Sequence, residues 1–376
     1  MKEKKMAIVC FTPQGQVLAE EIQNVWKSPV LDAEWNIEFI FKPVPFRGWM
    51  QEHFQELDAL VFIGAMGIVV RDMAPCLKSK LTDPAVVVLD EKGQFVISVL
   101  SGHIGGGNAL TLELAKRLGS IPVVTTSSDV NGKIAIDVFA QKNNLFITSM
   151  KQAKLCASEI VSGKPVSFYC DGNVYGKVPD ELGRQNMACK GDNAERDTEN
   201  AKEVSGPSEK KEDGVRTPFR VVVSPKIQQS ADDMLHLIPK AYVLGVGCKK
   251  GTSTEQIEAR ICEELKALDI DIRSVKGIAS IDIKQEEEGL LTFGKKRRIP
   301  ISFYSAGELA KLEGDFTPSD FVSSITGVEN VCERAGYMLA KEYGSPSLKD
   351  CMILPKSGKD GVTVSIMKID WSVRFE

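Results

Sequence analysis

Short apolar runs of strand length, each closing on glycine or a small polar turn, constrain the fold of this chain more than any other feature. In the first part they are Met6-Ala-Ile-Val-Cys-Phe11, Ile37 to Phe41, Ala59-Leu-Val-Phe-Ile63, Val86-Val-Val-Leu89, Phe95-Val-Ile-Ser-Val99 and Ile121-Pro-Val-Val124. Between several of them apolar residues fall at helical spacing, over about Gln16 to Trp26, Phe46 to Glu56 and Asn108 to Leu118. Glu91-Lys92-Gly93 reads as a hairpin turn. Strands alternating with helices imply βαβ units, hence an α/β fold with an open, mostly parallel sheet.

The pattern divides the chain into three: an N-terminal α/β domain over 1–142, a small variable middle α/β module over 143–238, and a C-terminal α/β domain over 239–376. The middle module has strand candidates at Val166 to Tyr169 and Phe219 to Val223. Between them, residues 189–217 are almost free of large apolar side chains and read as a polar, dispensable insertion. In the last part, Ala241 to Leu244 reads as a buried strand, and Thr252-Ser-Thr-Glu255 as a capping box opening a helix to about Leu268. A helical pattern over Val328 to Glu342 precedes a hairpin of Cys351 to Leu354 with Val362 to Ile369.

Charge excludes some classes of partner. Lys plus Arg number 47 against 51 Asp plus Glu, so no basic excess marks a nucleic-acid binder. No apolar run approaches the ~20 residues of a membrane span, and the start lacks a signal-peptide core, so the chain reads as cytoplasmic. Its 9 cysteines are scattered with no Cys-x-x-Cys pair, and its 3 histidines are too few for a multi-histidine metal site. No protein-held metal or organic cofactor is expected.

The chemistry-bearing stretch is Ser101-Gly-His-Ile-Gly-Gly-Gly-Asn108, after a strand and before a helix. Gly105, Gly106 and Gly107 allow close backbone approach, the helix start offers N–H groups to an anion, and His103 titrates near neutrality. The same residues also suit a plain turn with a capping histidine. Gly64-Ala-Met-Gly67 and Thr125-Thr-Ser-Ser-Asp129 likewise follow strands, so three such turns are expected at one carboxyl edge of the sheet; Thr125 to Asp129 equally fits a capped helix start. Gly245-Val-Gly-Cys-Lys-Lys-Gly251 adds Lys249 and Lys250. Cys248 reads as a small half-buried thiol, Lys295-Lys-Arg-Arg298 as a solvated cluster, and His53 and His236 as structural.

These blocks resemble the cobalt-precorrin-5A hydrolases of anaerobic cobalamin (vitamin B12) biosynthesis, the CbiG family. The resemblance runs through Gly64 to Arg71, Lys80 to Val86, Leu100 to Asn108 and Pro122 to Asp129. It continues through Gly245 to Gly251, Ile278 to Lys284, Pro318-Ser319 and Thr326-Gly-Val-Glu-Asn-Val-Cys-Glu333. The family loop looks like Gly-His-x-Gly-Gly-Ala-Asn, and Gly107 stands here for its alanine. The resemblance implies hydrolytic opening of a δ-lactone on a cobalt-containing corrin-ring precursor, with release of acetaldehyde. The metal then arrives inside a small-molecule tetrapyrrole substrate, and other enzymes of the pathway are the natural partners.

On that basis His103 is the expected general base, oriented by Ser101, with Asn108 and the glycine amides at the oxyanion and Asp129 as proton donor or orienting group. Gly64, Met66, Gly67, Arg71, Lys80, Thr125, Thr126, Gly245, Gly247, Lys249, Lys250 and Glu333 are the expected substrate contacts. Asp83 and Glu333 stand as reserve bases. A non-catalytic carrier of corrinoid intermediates is the rival, since it shares the anion-binding turns but needs no His103.

Overall fold

The computed structural model describes residues 3–26, 35–79, 82–184, 218–318 and 330–375. Lys80, the stretch 189–217 and Val328 lie outside the described residues. The chain divides into two units, Met1–Gln141 and Lys142–Glu376.

In the first unit β1 (Lys4–Cys10), β2 (Trp35–Phe41), β3 (Ala59–Ile63), β4 (Ala85–Leu89), β5 (Phe95–Leu100) and β6 (Ile121–Val123) form one sheet in the order β2-β1-β3-β4-β5-β6. Strands β1 to β4 are parallel. The helices are α1 (Pro13–Trp26), α2 (Phe46–His53), α3 (Met66–Met73), α4 (Gly107–Leu118), α5 (Ser127–Val130) and α6 (Ile136–Lys142). Met6, Ile8, Val61 and Val87 share one core with Leu18 and Ile22 of α1 and Leu114 of α4. Their sequence neighbours Ala7, Val9, Leu60 and Val86 face the other way, onto Phe46 and Met50 of α2 and Val69 of α3. Both faces are covered, which is why the strands read as unbroken apolar runs.

The β4–β5 connection is a hairpin, as Glu91-Lys92-Gly93 suggests: the Asp90 carboxylate accepts from the amides of Lys92 (2.9 Å) and Phe95 (2.7 Å). The reversal sets Leu100 level with Val86 near the start of β4, and β6 runs parallel to β5. The loop after β5 and the turn after β6 therefore share one edge of the sheet, while the turn after β3 lies at the opposite edge. The expected trio of turns is a pair.

In the second unit one sheet runs β10-β8-β11-β12-β7, from β7 (Phe146–Ile147), β8 (Val166–Cys170), β10 (Leu182–Arg184), β11 (Phe219–Val223) and β12 (Met234–Ile238), while β9 (Asn173–Tyr175) pairs instead with Ser372–Arg374. The other runs β15-β14-β13-β17-β16, from β13 (Tyr242–Cys248), β14 (Val275–Ile281), β15 (Ile301–Tyr304), β16 (Met352–Lys359) and β17 (Val362–Lys368). Strands β13, β14 and β15 are parallel; β16 and β17 form the expected hairpin. The helix after β13 spans Thr254–Ala267, and its capping box is Ser253 with Gln256, one residue later than expected.

Candidate functional site

The Ser101–Asn108 loop closes on itself before α4 begins. The amides of Gly106, Gly107 and Asn108 donate to the carbonyls of His103 (2.9 Å), Ser101 (3.0 Å) and Gly102 (2.9 Å). Gly106 takes φ +82° at the helix start, where a side chain would be strained. A Cβ at Gly107 would lie 2.8 Å from the Leu100 carbonyl oxygen, and one at Gly105 would overlap Ser101. These glycines thus serve a tight turn, and the amides of Gly106 and Gly107 are committed to it rather than free to hold an oxyanion. Ser101, at φ +53°, turns its hydroxyl to the Asp83 carbonyl at 2.9 Å, so it ties the loop to the entry of β4 and does not orient the imidazole.

The turn projects His103 between two short helices. Its Nε2 lies 3.0 Å from Asp129 Oδ2 and 3.0 Å from Ser128 Oγ, both on α5. Its Nδ1 lies 3.4 Å from Asp137 Oδ1 on α6. The Asp137 carboxylate holds the imidazole pKa above its ordinary value; partial burial pulls it down, and Asp129 adds to the rise. A ring with a carboxylate at each nitrogen favours its cationic form, which has donors but no lone pair. Relative to an isolated imidazole, the site therefore favours the protonated ring.

Asn108 is a brace for this site. Its side chain is 5% exposed; its Oδ1 accepts from Ser98 Oγ at 2.7 Å, and its Nδ2 donates to Thr126 Oγ1 at 2.9 Å and Asp129 Oδ2 at 3.0 Å. One amide thus joins strand β5 to the turn after β6 and aims the carboxylate that faces His103. Thr125 is exposed beside it.

Other expected residues lie apart from this cluster. Gly64 follows β3 at the opposite sheet edge, and Met66 and Gly67 open α3 rather than a turn. Arg71 is exposed in the last turn of α3. Asp83 is buried; burial opposes its charge, but hydrogen bonds from Gln55 and the amides of Lys78 and Ser79 outweigh it and keep the carboxyl below its ordinary range. It is a structural acceptor, not a reserve base.

In the second unit Gly245 is a packing glycine: a Cβ there would overlap the Cys332 carbonyl oxygen where helix Cys332–Glu342 crosses β13. Gly247 lies against Thr363, and Lys249 and Lys250 are exposed. Glu333 is fully buried, and its carboxylate accepts from Thr317 N (2.8 Å), Thr317 Oγ1 (2.8 Å) and Lys356 N (2.6 Å). Those donors leave it a structural tie rather than a base. His236 is buried on β12 with Nε2 2.9 Å from the Ser224 carbonyl, the structural role expected of it.

Sequence reasoning missed Asp137 and Ser128. Asp137 is one acidic residue in the first turn of a helix, a place where carboxylates are common for dipole reasons alone. Only the fold brings it to the ring.

Comparison with known proteins accounts for the spacing of these blocks. Residues 48–129 match the family model described as Cobalamin synthesis G N-terminal, 134–239 the Cobalamin biosynthesis central region, and 242–367 the Cobalamin synthesis G C-terminus. The cobalt-precorrin-5A hydrolase of Salmonella typhimurium is 32% identical over 346 residues, covering 91% of this chain and 93% of the relative. That of Priestia megaterium is 30% identical over 378 residues, covering 97% and 95%. The chain belongs to the cobalamin synthesis G family. Within it, the N-terminal match contains His103, Asn108 and Asp129, whereas Asp137 falls in the stretch matched by the central region.

Proposed function

We propose that this chain hydrolyses cobalt-precorrin-5A in anaerobic cobalamin biosynthesis, opening its δ-lactone with water and releasing acetaldehyde to give cobalt-precorrin-5B. The observation that carries the chemistry is His103 held between Asp129 and Asp137 at the end of a glycine turn. Two relatives that bear the hydrolase name over nine-tenths of the chain favour an enzyme over a carrier.

Lactone opening needs a proton for the leaving oxygen, and the later carbon–carbon cleavage needs that proton removed again. Water adds to the lactone carbonyl and loses one proton to solvent. The acyl C–O bond breaks with its electron pair on the ring oxygen, which takes the proton of His103 Nε2 and becomes a hydroxyl. The neutral imidazole then removes the hydroxyl proton. The O–H pair becomes the C=O of acetaldehyde, the C–C bond breaks with its pair on the macrocycle carbon, and that carbon is protonated from solvent. His103 ends charged, as it began. Cobalt is part of the substrate throughout.

No helix among the described residues is long and apolar enough to cross a membrane. A cytoplasmic setting, with other enzymes of the pathway supplying and consuming the substrate, fits the reading. The test is incubation of purified protein with the lactone, acetaldehyde being followed through coupled reduction by alcohol dehydrogenase. Wild type releases one equivalent, and His103→Gln loses about 10²–10⁴ in kcat. Tight binding of the lactone without acetaldehyde would instead establish the carrier.

A further inference from the structure

Helix α6 meets the catalytic loop with two residues four apart, hence on one helix face. Asp137 Oδ1 lies 3.4 Å from His103 Nδ1, and Gln141 Nε2 donates to the Ile104 carbonyl at 2.9 Å. The two ring nitrogens are not equivalent. The partner at Nε2, Asp129, has a side chain 39% exposed on a four-residue helix, so substrate can reach and replace it. The partner at Nδ1, Asp137, is 15% exposed and lies on the helix that also grips the loop backbone. Among the described residues, the charged groups that act on the ring are these two carboxylates, one from each helix, with the Ser128 hydroxyl beside Asp129.

We infer that Asp137 is a positioning residue that fixes His103 through Nδ1, leaving Nε2 as the atom that gives and retakes the proton. A carboxylate at Nδ1 keeps a hydrogen on that nitrogen in both charge states of the ring. The neutral form produced after lactone opening is then the Nδ1–H tautomer, with its lone pair on Nε2 facing the new hydroxyl. Without Asp137 the ring can turn over or take the other tautomer, and the second step lacks its base. The inference rests on the proposed proton-transfer role of His103, but its structural half can be read without substrate.

The experiment is a pH titration of the histidine ring signals by ¹H–¹⁵N correlation NMR on the full chain. There are 3 histidines, and His103 is identified by the signals missing from His103→Gln. In Asp129→Asn, which removes the competing carboxylate at Nε2, neutral His103 carries its hydrogen on Nδ1; an Nε2–H neutral tautomer in that variant overturns the inference. In Asp137→Asn the His103 midpoint moves to lower pH, and kcat falls about tenfold or more with KM little changed, while Asp137→Glu recovers part of both. A midpoint in Asp137→Asn that superimposes on wild type overturns it equally. Should His103→Gln keep full turnover while the tautomer is as stated, the proton-transfer reading fails and the positioning of the ring by Asp137 stands.

Discussion

The Asn108 side-chain amide donates to Asp129 Oδ2 at 3.0 Å, and that same oxygen faces His103 Nε2. Because Asn108 is buried and also holds Ser98 and Thr126, its loss strands several polar groups at once. Asn108→Ala is expected to destabilise the first unit by about 1–3 kcal/mol, the usual cost of buried groups left unpaired. Tryptophan fluorescence during urea unfolding reports it, since Trp26, Trp35 and Trp49 of the chain's 4 tryptophans lie in that unit. Asn108→Asp, which keeps the shape but puts a second carboxylate against Asp129, is expected to lower kcat as well. Stability and kcat equal to wild type in both variants would rule out the brace.

Gly245 separates packing from ligand binding. Its neighbour is a main-chain carbonyl, Cys332 O, which cannot swing aside like the tip of a side chain. Gly245→Ala is therefore expected to cost about 1–3 kcal/mol or more through overpacking. The loss should appear in thermal unfolding without substrate. A variant as stable as wild type but with raised KM would restore the anion-site reading of this turn.

The fold was legible where burial on both faces enforces unbroken apolar strands, as in Ala59–Ile63 and Ala85–Leu89. His103 was legible because a titrating ring inside a glycine turn is unusual. Of its partners, Asp129 was expected beside it, whereas Asp137 and Ser128 were not, because their approach to the ring depends on how the chain folds back. The β4–β5 hairpin decides which turns share an edge, and it brings Thr126 and Asp129 to the loop while leaving Gly64 on the far side. The amides of Gly106 and Gly107 looked free in sequence, but hydrogen bonds inside the turn consume them.

The proposed corrinoid substrate, which the family resemblance implies is an acidic macrocycle, predicts a salt effect. Raising ionic strength should raise KM more than it lowers kcat, since screening weakens ground-state and transition-state binding alike. Arg71, exposed near the end of α3, is the cation to test in the first unit. Arg71→Ala should raise KM at low salt and flatten its salt dependence. If the variant keeps the wild-type salt slope, Arg71 does not touch the substrate.

The pKa of His103 also makes stability depend on pH in a stated direction. Its value in the folded chain is raised above 6.5, chiefly by Asp137, so folding binds the proton more tightly than the unfolded chain does. The stabilisation is complete below 6.5 and fades as pH rises through the folded value. His236 runs the other way. Burial lowers its pKa, so its contribution is present above 6.5 and is lost as pH falls through its depressed folded value. A melting curve of the wild type alone therefore mixes two opposite slopes. Subtracting His103→Gln isolates the first, because His236 is common to both proteins and lies in the other unit. The tryptophan-detected midpoint of the wild type should exceed that of the variant most on the acid side of 6.5, with the gap closing steadily in alkaline buffer. A gap that widens with pH would mean that the folded site prefers the neutral ring, and that Asp129 and Asp137 do not hold a cation between them.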